Sequence, residues 1–144
     1  MVIDEAGIKD LRRGLRAMVR VGKVSSLYPE RNTAKVTFED KDSNVSQELN
    51  ILNRGAARNK DYWMPDVEDE VVCLFAMNDK NLSTGWIVGA HFSEKHPPQA
   101  KSADIMRLDF ADGGYVEYDR AKSSMEIHCP GTIRITAGKI YLND

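Results

Sequence analysis

The last 40 residues of the chain are built from very short runs in which apolar and polar side chains alternate. The runs are residues 105–110, 115–119, 124–129, 132–136 and 139–144, and the segments between them contain Gly, Pro, Asp or Ser. Alternation with a period of two predicts β-strands, and these turn residues predict tight connections. The expected inward-facing residues are Leu108, Phe110, Val116, Tyr118, Met125, Ile127, Ile133, Ile135, Ile140 and Leu142.

A strip of this kind has too little apolar surface to fold alone. Ten buried side chains do not offset the conformational entropy that is lost when the backbone is ordered, at about 1–2 kcal/mol per residue. The strip must therefore pack against the preceding part of the chain or against copies of itself. Short strands from several identical chains around one apolar interior satisfy this requirement, and the pattern alone leaves the number of chains open.

The middle of the chain, residues 19–92, predicts a small β-barrel. Strand candidates are residues 18–28, 33–39, 46–52, 70–77 and 85–92, and polar turns separate them. The candidate at 70–77 is a continuous apolar run, which is typical of a strand buried on both faces. Five strands without a helical period favour a five-stranded OB-fold barrel, because closure removes exposed strand edges.

A short amphipathic helix is expected in residues 1–18. Apolar residues recur there at spacings of three and four, namely Ile8, Leu11, Leu15 and Met18. Asp4 can cap the start of this helix. Arg12, Arg13 and Arg16 form either a docking surface for an acidic partner or a solvated helix face.

A linker is expected between the barrel and the short strands, in residues 93–104. Pro97 and Pro98 lie in this polar stretch and block the continuation of a helix or a sheet. The expected organisation is therefore a helix at 1–18, a barrel at 19–92, this linker, and a spike region at 105–144.

The composition fits a folded protein that does not mainly bind phosphates. Hydrophobic residues make up 42% and charged residues 29% of the chain, and the formal net charge is -2. The N-terminus lacks the apolar core of a secretory signal, and no apolar run approaches the roughly 20 residues of a membrane-spanning helix. We therefore expect synthesis and folding in the bacterial cytoplasm.

The candidate catalytic and metal-binding residues favour structural roles. Cys73 and Cys129 are expected to be small buried apolar residues. His128 and Cys129 are adjacent in a strand and point to opposite faces, which disfavours a shared zinc ion. His91 and His96 are expected at the surface. No catalytic, cofactor-binding or metal-binding residue is predicted.

A cluster of carboxylates precedes the fourth strand candidate and comprises Asp66, Glu68, Asp69 and Glu70. Such a cluster can serve acid–base hydrolysis of a glycan, but charged turns beside a buried strand are far commoner. The cluster is therefore interpreted as a charged turn.

Four segments carry a resemblance to a known family: MVRVGKVSSLYPERNTAKVTF (18–38), EDEVVCLFAMNDKNLSTGWIVGAHFSEKHPP (68–98), DGGYVEYD (112–119) and GTIRITAGKIYL (131–142). The most specific part is GWIVGAHF with the proline pair that follows it. With these segments the chain resembles the phage baseplate assembly protein V family. The resemblance implies an all-β homotrimer: a short N-terminal helix, an OB-fold barrel and a C-terminal triple-stranded β-helix.

The resemblance also implies a function. Members form the central spike of contractile tails and phage-tail-like particles such as bacteriocins, and resemble the spikes of type VI secretion systems. The implied partners are the tail tube or hub and other baseplate proteins, and the spike meets the target envelope on contraction. The chain has no embedded lysozyme-like domain and no terminal His-X-His pair, so either a separate spike-tip protein covers its blunt end or a short spike suffices.

Two alternative functions stay open. Arg54, Arg58 and Lys60 precede Trp63, which is the pattern of a nucleic-acid-binding OB-fold module. The favoured interpretation is a loop that Tyr62 and Trp63 anchor against a neighbouring subunit or baseplate protein, with Trp86 in the core and no nucleic acid bound. An envelope-degrading enzyme is the other alternative, and only the hydrolases of some spikes suggest it; the expectation is a protein without enzymatic activity.

Overall fold

The computed structural model describes residues 4–39, 44–77 and 81–143. The chain divides into two compact units, Met1–His96 and Pro97–Asp144, and the division lies within the stretch that the sequence assigns to the linker. The described residues are mostly β-structure with one short α-helix. No helix among them combines the length and apolarity needed to cross a bilayer.

The first unit begins with helix α1 (Glu5–Arg16). The carboxylate of Asp4 accepts a hydrogen bond from the backbone N–H of Gly7 at 2.7 Å, as expected of an N-cap. Gly14 is the only helix residue that is fully buried. The apolar stripe formed by Ile8, Leu11 and Leu15 is exposed, so α1 gains little from packing within one chain.

Six strands follow among the described residues of the first unit: β1 (Val19–Tyr28), β2 (Thr33–Phe38), β3 (Asn44–Val45), β4 (Leu49–Ile51), β5 (Glu70–Phe75) and β6 (Gly85–Ala90). A 3-10 turn, Pro29–Arg31, joins β1 to β2. Each of the five expected strands is present, with ends shifted by three residues at most. Strand β3 was not expected from the sequence.

The strands close into a five-stranded barrel. Antiparallel ladders join β1 to β2, β1 to β5, β5 to β6 and β2 to β4, and a parallel ladder joins β4 to β6. The ring therefore runs β1–β2–β4–β6–β5 and back to β1, which is compatible with the predicted OB fold. Strand β3 lies outside the ring and pairs antiparallel with the last two residues of β2.

One apolar core fills the barrel. Its members are Val24, Ala34, Val36, Phe38, Leu49, Ile51, Val71, Cys73, Phe75, Leu82 and Ile87. The rings of Phe38 and Phe75 meet edge to face with centroids 5.6 Å apart. Cys73 is fully buried, as expected, and Arg20 covers the Phe38 ring with its guanidinium 4.3 Å from the centroid.

The outer wall of the barrel corrects two expectations. Strand β5 was expected to be buried on both faces, but its burial alternates, and Leu74 is 39% exposed. Trp86 was expected in the core, but it points outward and is 38% exposed. Both side chains belong to the face opposite their buried neighbours Cys73 and Ile87, because successive strand residues point to opposite sides.

The second unit is an antiparallel sheet of three strands, β7 (Ile105–Asp109), β8 (Tyr115–Asp119) and β9 (Ser124–His128). The turn between β7 and β8 is closed by hydrogen bonds from Phe110 N to Gly114 O and from Gly113 N to Phe110 O. Gly113 has a φ of 94°, which a residue with a side chain rarely adopts.

The remainder of the second unit differs from the sequence-based expectation. Strands were predicted at 132–136 and 139–144, but residues 129–143 contain none, and residue 144 lies outside the described residues. A strand is defined by hydrogen bonds to a second backbone, and one chain offers none to this segment. Cys129, expected to be buried, is exposed because nothing in the unit covers it.

Replacement of Gly22 by Ala should destabilise the barrel. A Cβ atom at Gly22 would lie 2.6 Å from Val36 Cγ1 and 2.7 Å from the Thr37 carbonyl oxygen. Overpacking of this kind costs about 1–3 kcal/mol. The midpoint of urea unfolding should fall accordingly, and tryptophan fluorescence reports on the barrel because Trp63 and Trp86 both lie in the first unit.

Gly89→Ala is the matched control, since a Cβ atom at this position would have no heavy atom within 4 Å beyond its own chain neighbours. Its unfolding midpoint should stay close to that of the wild type. Equal midpoints for the Gly22→Ala and Gly89→Ala variants would contradict the close approach of β1 and β2.

Candidate functional site

One face of the C-terminal sheet is entirely apolar. The strand register sets Met106 opposite Tyr118 and Tyr118 opposite Met125. It likewise places Leu108, Val116 and Ile127 in a second row across the three strands. Directly opposite residues in an antiparallel sheet share a face, so these six side chains form one continuous surface, here called the apolar face.

The apolar face is open to solvent in the single chain. Val116 is half-buried, but the other members are exposed, with Leu108, Met125 and Ile127 all above 60%. Met106 is 80% exposed and was not among the predicted inward residues, although its spacing of two from Leu108 was the available signal. Phe110 follows β7 and is exposed as well.

The opposite face of the same sheet is polar and internally bonded. Arg107 donates hydrogen bonds to Asp109 and Glu117, both at 2.8 Å, and its guanidinium lies 3.9 Å from the Tyr115 ring centroid. The Tyr115 hydroxyl donates to Glu126 at 3.0 Å. The bond to Glu117 raises the pKa of Arg107, and the bond to Glu126 raises the pKa of Tyr115. This polar face can therefore stay exposed to solvent and does not need to be covered by another protein surface.

The segment after β9 adds more unburied apolar groups. Residues 131–143 form no backbone-to-backbone hydrogen bond with the described chain. Its exposed apolar side chains are Ile133, Ile135, Ile140, Tyr141 and Leu142. Unpaired backbone in an extended, apolar segment is a template for pairing with another chain.

The apolar face and the segment after it, residues 131–143, form the candidate surface for association. Large contiguous apolar patches are rare on soluble monomers and mark interaction sites, whereas scattered apolar residues carry no such meaning. The apolar face and the segment after it, together with Phe110 at the end of β7, include all ten residues predicted to point inward. Their role in a trimer core stays a prediction.

The chain is similar to a phage spike protein. It is 26% identical to the spike protein of Escherichia phage P2 over 132 residues, which is 92% of this chain. The chain spans 60% of the length of that relative. No protein-family model matches the chain.

Tyr62 and Trp63, expected to anchor their loop against a neighbouring subunit or baseplate protein, lie before β5. The Trp63 indole N–H donates to the Leu52 carbonyl at 2.9 Å and its ring packs on the barrel core, while the anchoring role stays a prediction. Tyr62 is exposed. Arg54, one of three cations in the nucleic-acid alternative, is paired with Asp61, which raises the pKa of Arg54.

His91 and His96 lie at the barrel surface and in the loop after it. His91 Nε2 is 3.6 Å from Glu70 at the surface of the barrel, and His96 is exposed in the loop after it. In the part of the chain that the structure describes, no group of three His, Cys, Asp or Glu side chains is placed to hold a metal ion.

The thiol of Cys73 should not react with thiol reagents in the folded protein. Burial raises the pKa of its thiol to about 12, although the charge of Arg20 opposes the shift. At pH 8 only about one thiol in ten thousand is then ionised, and the thiolate is the reactive form. In a Cys129→Ser variant, Ellman's reagent should detect no thiol before unfolding and one thiol in guanidinium chloride. Rapid reaction of the folded variant would contradict the core position of Cys73.

Proposed function

We propose that the chain is a non-enzymatic, homotrimeric spike at the tip of a contractile phage tail or a phage-tail-like particle such as a bacteriocin. The observation that carries the proposal is the apolar face, which the rest of its unit leaves uncovered. The similarity to a phage spike protein supports the class of particle. The number three follows from the resemblance to the baseplate spike family.

In this proposal the apolar faces of three chains meet around a common axis. Each contributes its two rows of apolar side chains to one interior, while the bonded network around Arg107 and Glu117 lies on the outside. Residues 131–143 pair with the neighbouring chains and complete a triple-stranded β-helix. Their unpaired backbone supports this step, since extended segments are stable when their N–H and C=O groups are bonded.

A rod of this construction suits mechanical work. Hydrogen bonds that run between chains must break together before the rod bends, so the free energy of bending is high. Contraction of a tail sheath would drive such a rod into the target envelope without any chemical step. The barrel would form the collar that meets the tail tube or hub and other baseplate proteins.

The nucleic-acid alternative is less well supported. Arg54 is engaged with Asp61, and Trp63 packs against its own barrel. Only Arg58 and Lys60 of the original cluster stay without an ion pair in the described residues. Base stacking needs an open aromatic ring beside free cations, and the Trp63 ring on which this alternative was based is packed on the barrel, which leaves Tyr62 as the exposed ring of the loop.

Light scattering on the purified protein should give three times the 16.2 kDa mass of the chain. The Ile127→Lys variant, which places a charge on the apolar face, should abolish the trimer, because burial of an unpaired charge costs several kcal/mol per chain. The readout is molar mass across a dilution series.

Ser124→Lys is the control, since it adds the same charge to the same strand. Ser124 lies opposite Asp119 on the polar face, so this variant should stay trimeric. A wild-type monomer, or equal assembly of the Ile127→Lys variant and the wild type, would overturn the proposal.

A further inference from the structure

An open groove lies between α1 and the outer face of β1 in the first unit. Its volume is about 740 Å³. The helix wall carries four cations, namely Lys9, Arg12, Arg13 and Arg16. The floor includes Val19 and Val21, whose side chains are more than half exposed. A groove that combines positive charge with an apolar floor fits an acidic segment that presents an apolar side chain.

Most of the charge in this groove is uncommitted. Arg13 forms an exposed ion pair with Asp10 at 3.6 Å. Lys9, Arg12 and Arg16 make no ion pair or side-chain hydrogen bond with residues 4–39, 44–77 or 81–143. Three cations within two helical turns repel one another, so a bound carboxylate would relieve this repulsion as well as form new contacts.

The chain itself contains a segment with the complementary chemistry. The loop before β5, residues 66–69 and here called the acidic loop, places an exposed Val67 between the carboxylates of Asp66, Glu68 and Asp69. Its backbone is fixed to β1: Glu68 N–H donates to the Val24 carbonyl at 2.8 Å, and Val24 N–H donates to the Asp69 carbonyl at 3.0 Å. The loop is thus a rigid projection that needs little ordering on binding.

Glu68 lies at the tip of the acidic loop. The Asp69 N–H donates to the Asp66 carbonyl at 3.1 Å, so Glu68 is the third residue of a four-residue turn, a position where a positive φ such as its 77° is common. Its carboxylate makes no hydrogen bond or ion pair with the residues that the structure describes. The loop therefore presents an unused charge in a fixed position.

We propose that the acidic loop of one copy docks into the groove of the next copy. The inference rests on the proposed homotrimer and adds a contact between its barrels. Groove and loop are different surfaces, so the contact is heterologous, and a heterologous contact repeated around an axis closes into a ring. A loop tied to Val24 cannot enter its own groove without losing those backbone bonds.

A second acidic and apolar segment fits less well. Phe110 is exposed between Asp109 and Asp112, but Asp109 accepts a hydrogen bond from Arg107 and Asp112 accepts one from the backbone of Gly114. Both carboxylates already have a structural role. In the acidic loop Asp69 is likewise engaged, since it accepts a hydrogen bond from the Asp66 N–H at 2.8 Å. The side chains of Asp66 and Glu68 form no hydrogen bond or ion pair with the described residues, so the acidic loop is the better occupant.

Disulfide trapping tests the contact directly. Val67→Cys and Val21→Cys are combined in a Cys129→Ser background, because each residue occupies the apolar centre of its surface. On mild oxidation we expect covalent dimers and trimers on a non-reducing gel. The control pairs Val67→Cys with Val45→Cys, which is equally exposed on β3 and outside the groove, and should give no such products.

Charge reversal tests the chemistry of the same contact. Adding Arg12→Glu and Arg16→Glu to the trapping variant should slow cross-linking roughly tenfold, and further addition of Glu68→Lys should restore most of the rate. Glu68→Gly should also slow cross-linking, yet leave the thermal midpoint of the barrel unchanged or raised, because glycine relieves the backbone strain.

The outcomes separate this inference from the proposed function. A wild-type protein that is monomeric by light scattering overturns both. A wild-type trimer in which the cysteine pair gives no interchain product, or gives it at a rate unaffected by charge reversal, overturns the docking contact alone. The contact is also overturned if Glu68→Gly lowers the thermal midpoint and leaves cross-linking unchanged, since Glu68 would then serve the single chain.

Discussion

The apolar face of the C-terminal sheet must be removed from water, and nothing within its unit does so. One side of the three strands is satisfied by its own ion pairs and hydrogen bonds around Arg107, whereas the other side presents two rows of apolar side chains. Segment 131–143 adds backbone groups without partners. Hydrophobic burial and backbone hydrogen bonding are thus both incomplete within the unit, and the proposed trimer would supply the two together.

The barrel satisfies the same requirements within one chain. Its ladders close on themselves, and its core excludes water around Phe38 and Phe75. Its outer wall nevertheless keeps apolar side chains such as Val19, Val21 and Leu74 in solvent. The first unit thus buries its core within one chain, whereas the second unit leaves one sheet face and its last segment uncovered.

Alternation and turn chemistry were sufficient to place most strands. Eight of the ten expected strands are present, namely β1 to β9 with β3 excepted, and they lie where period-two runs end in turn residues. The predictions of burial were wrong where one sequence pattern is compatible with two different environments. The apolar run around Leu74 is compatible with a strand buried on both sides and with a strand that keeps one side for a partner, and the position of Trp86 is ambiguous for the same reason.

Features of the site that depend on backbone geometry had no signal in the sequence. Acidic residues 66–70 indicated a charged turn, but not the left-handed conformation of Glu68 or its bond to Val24. Strand register brought Met106 into the apolar face, which residue spacing alone only suggested. Residues 132–136 alternate like a strand, yet strand formation depends on a second backbone that one sequence does not specify.

The order of the two units along the chain bears on biogenesis. A nascent polypeptide leaves the ribosome from its N-terminus, and domains generally fold as units during synthesis. The barrel, which buries its core within one chain, can therefore fold while the exposed apolar residues near the C-terminus are still being translated. In the proposed trimer, premature aggregation through those residues would be limited to the interval between their release and the encounter with two other completed chains.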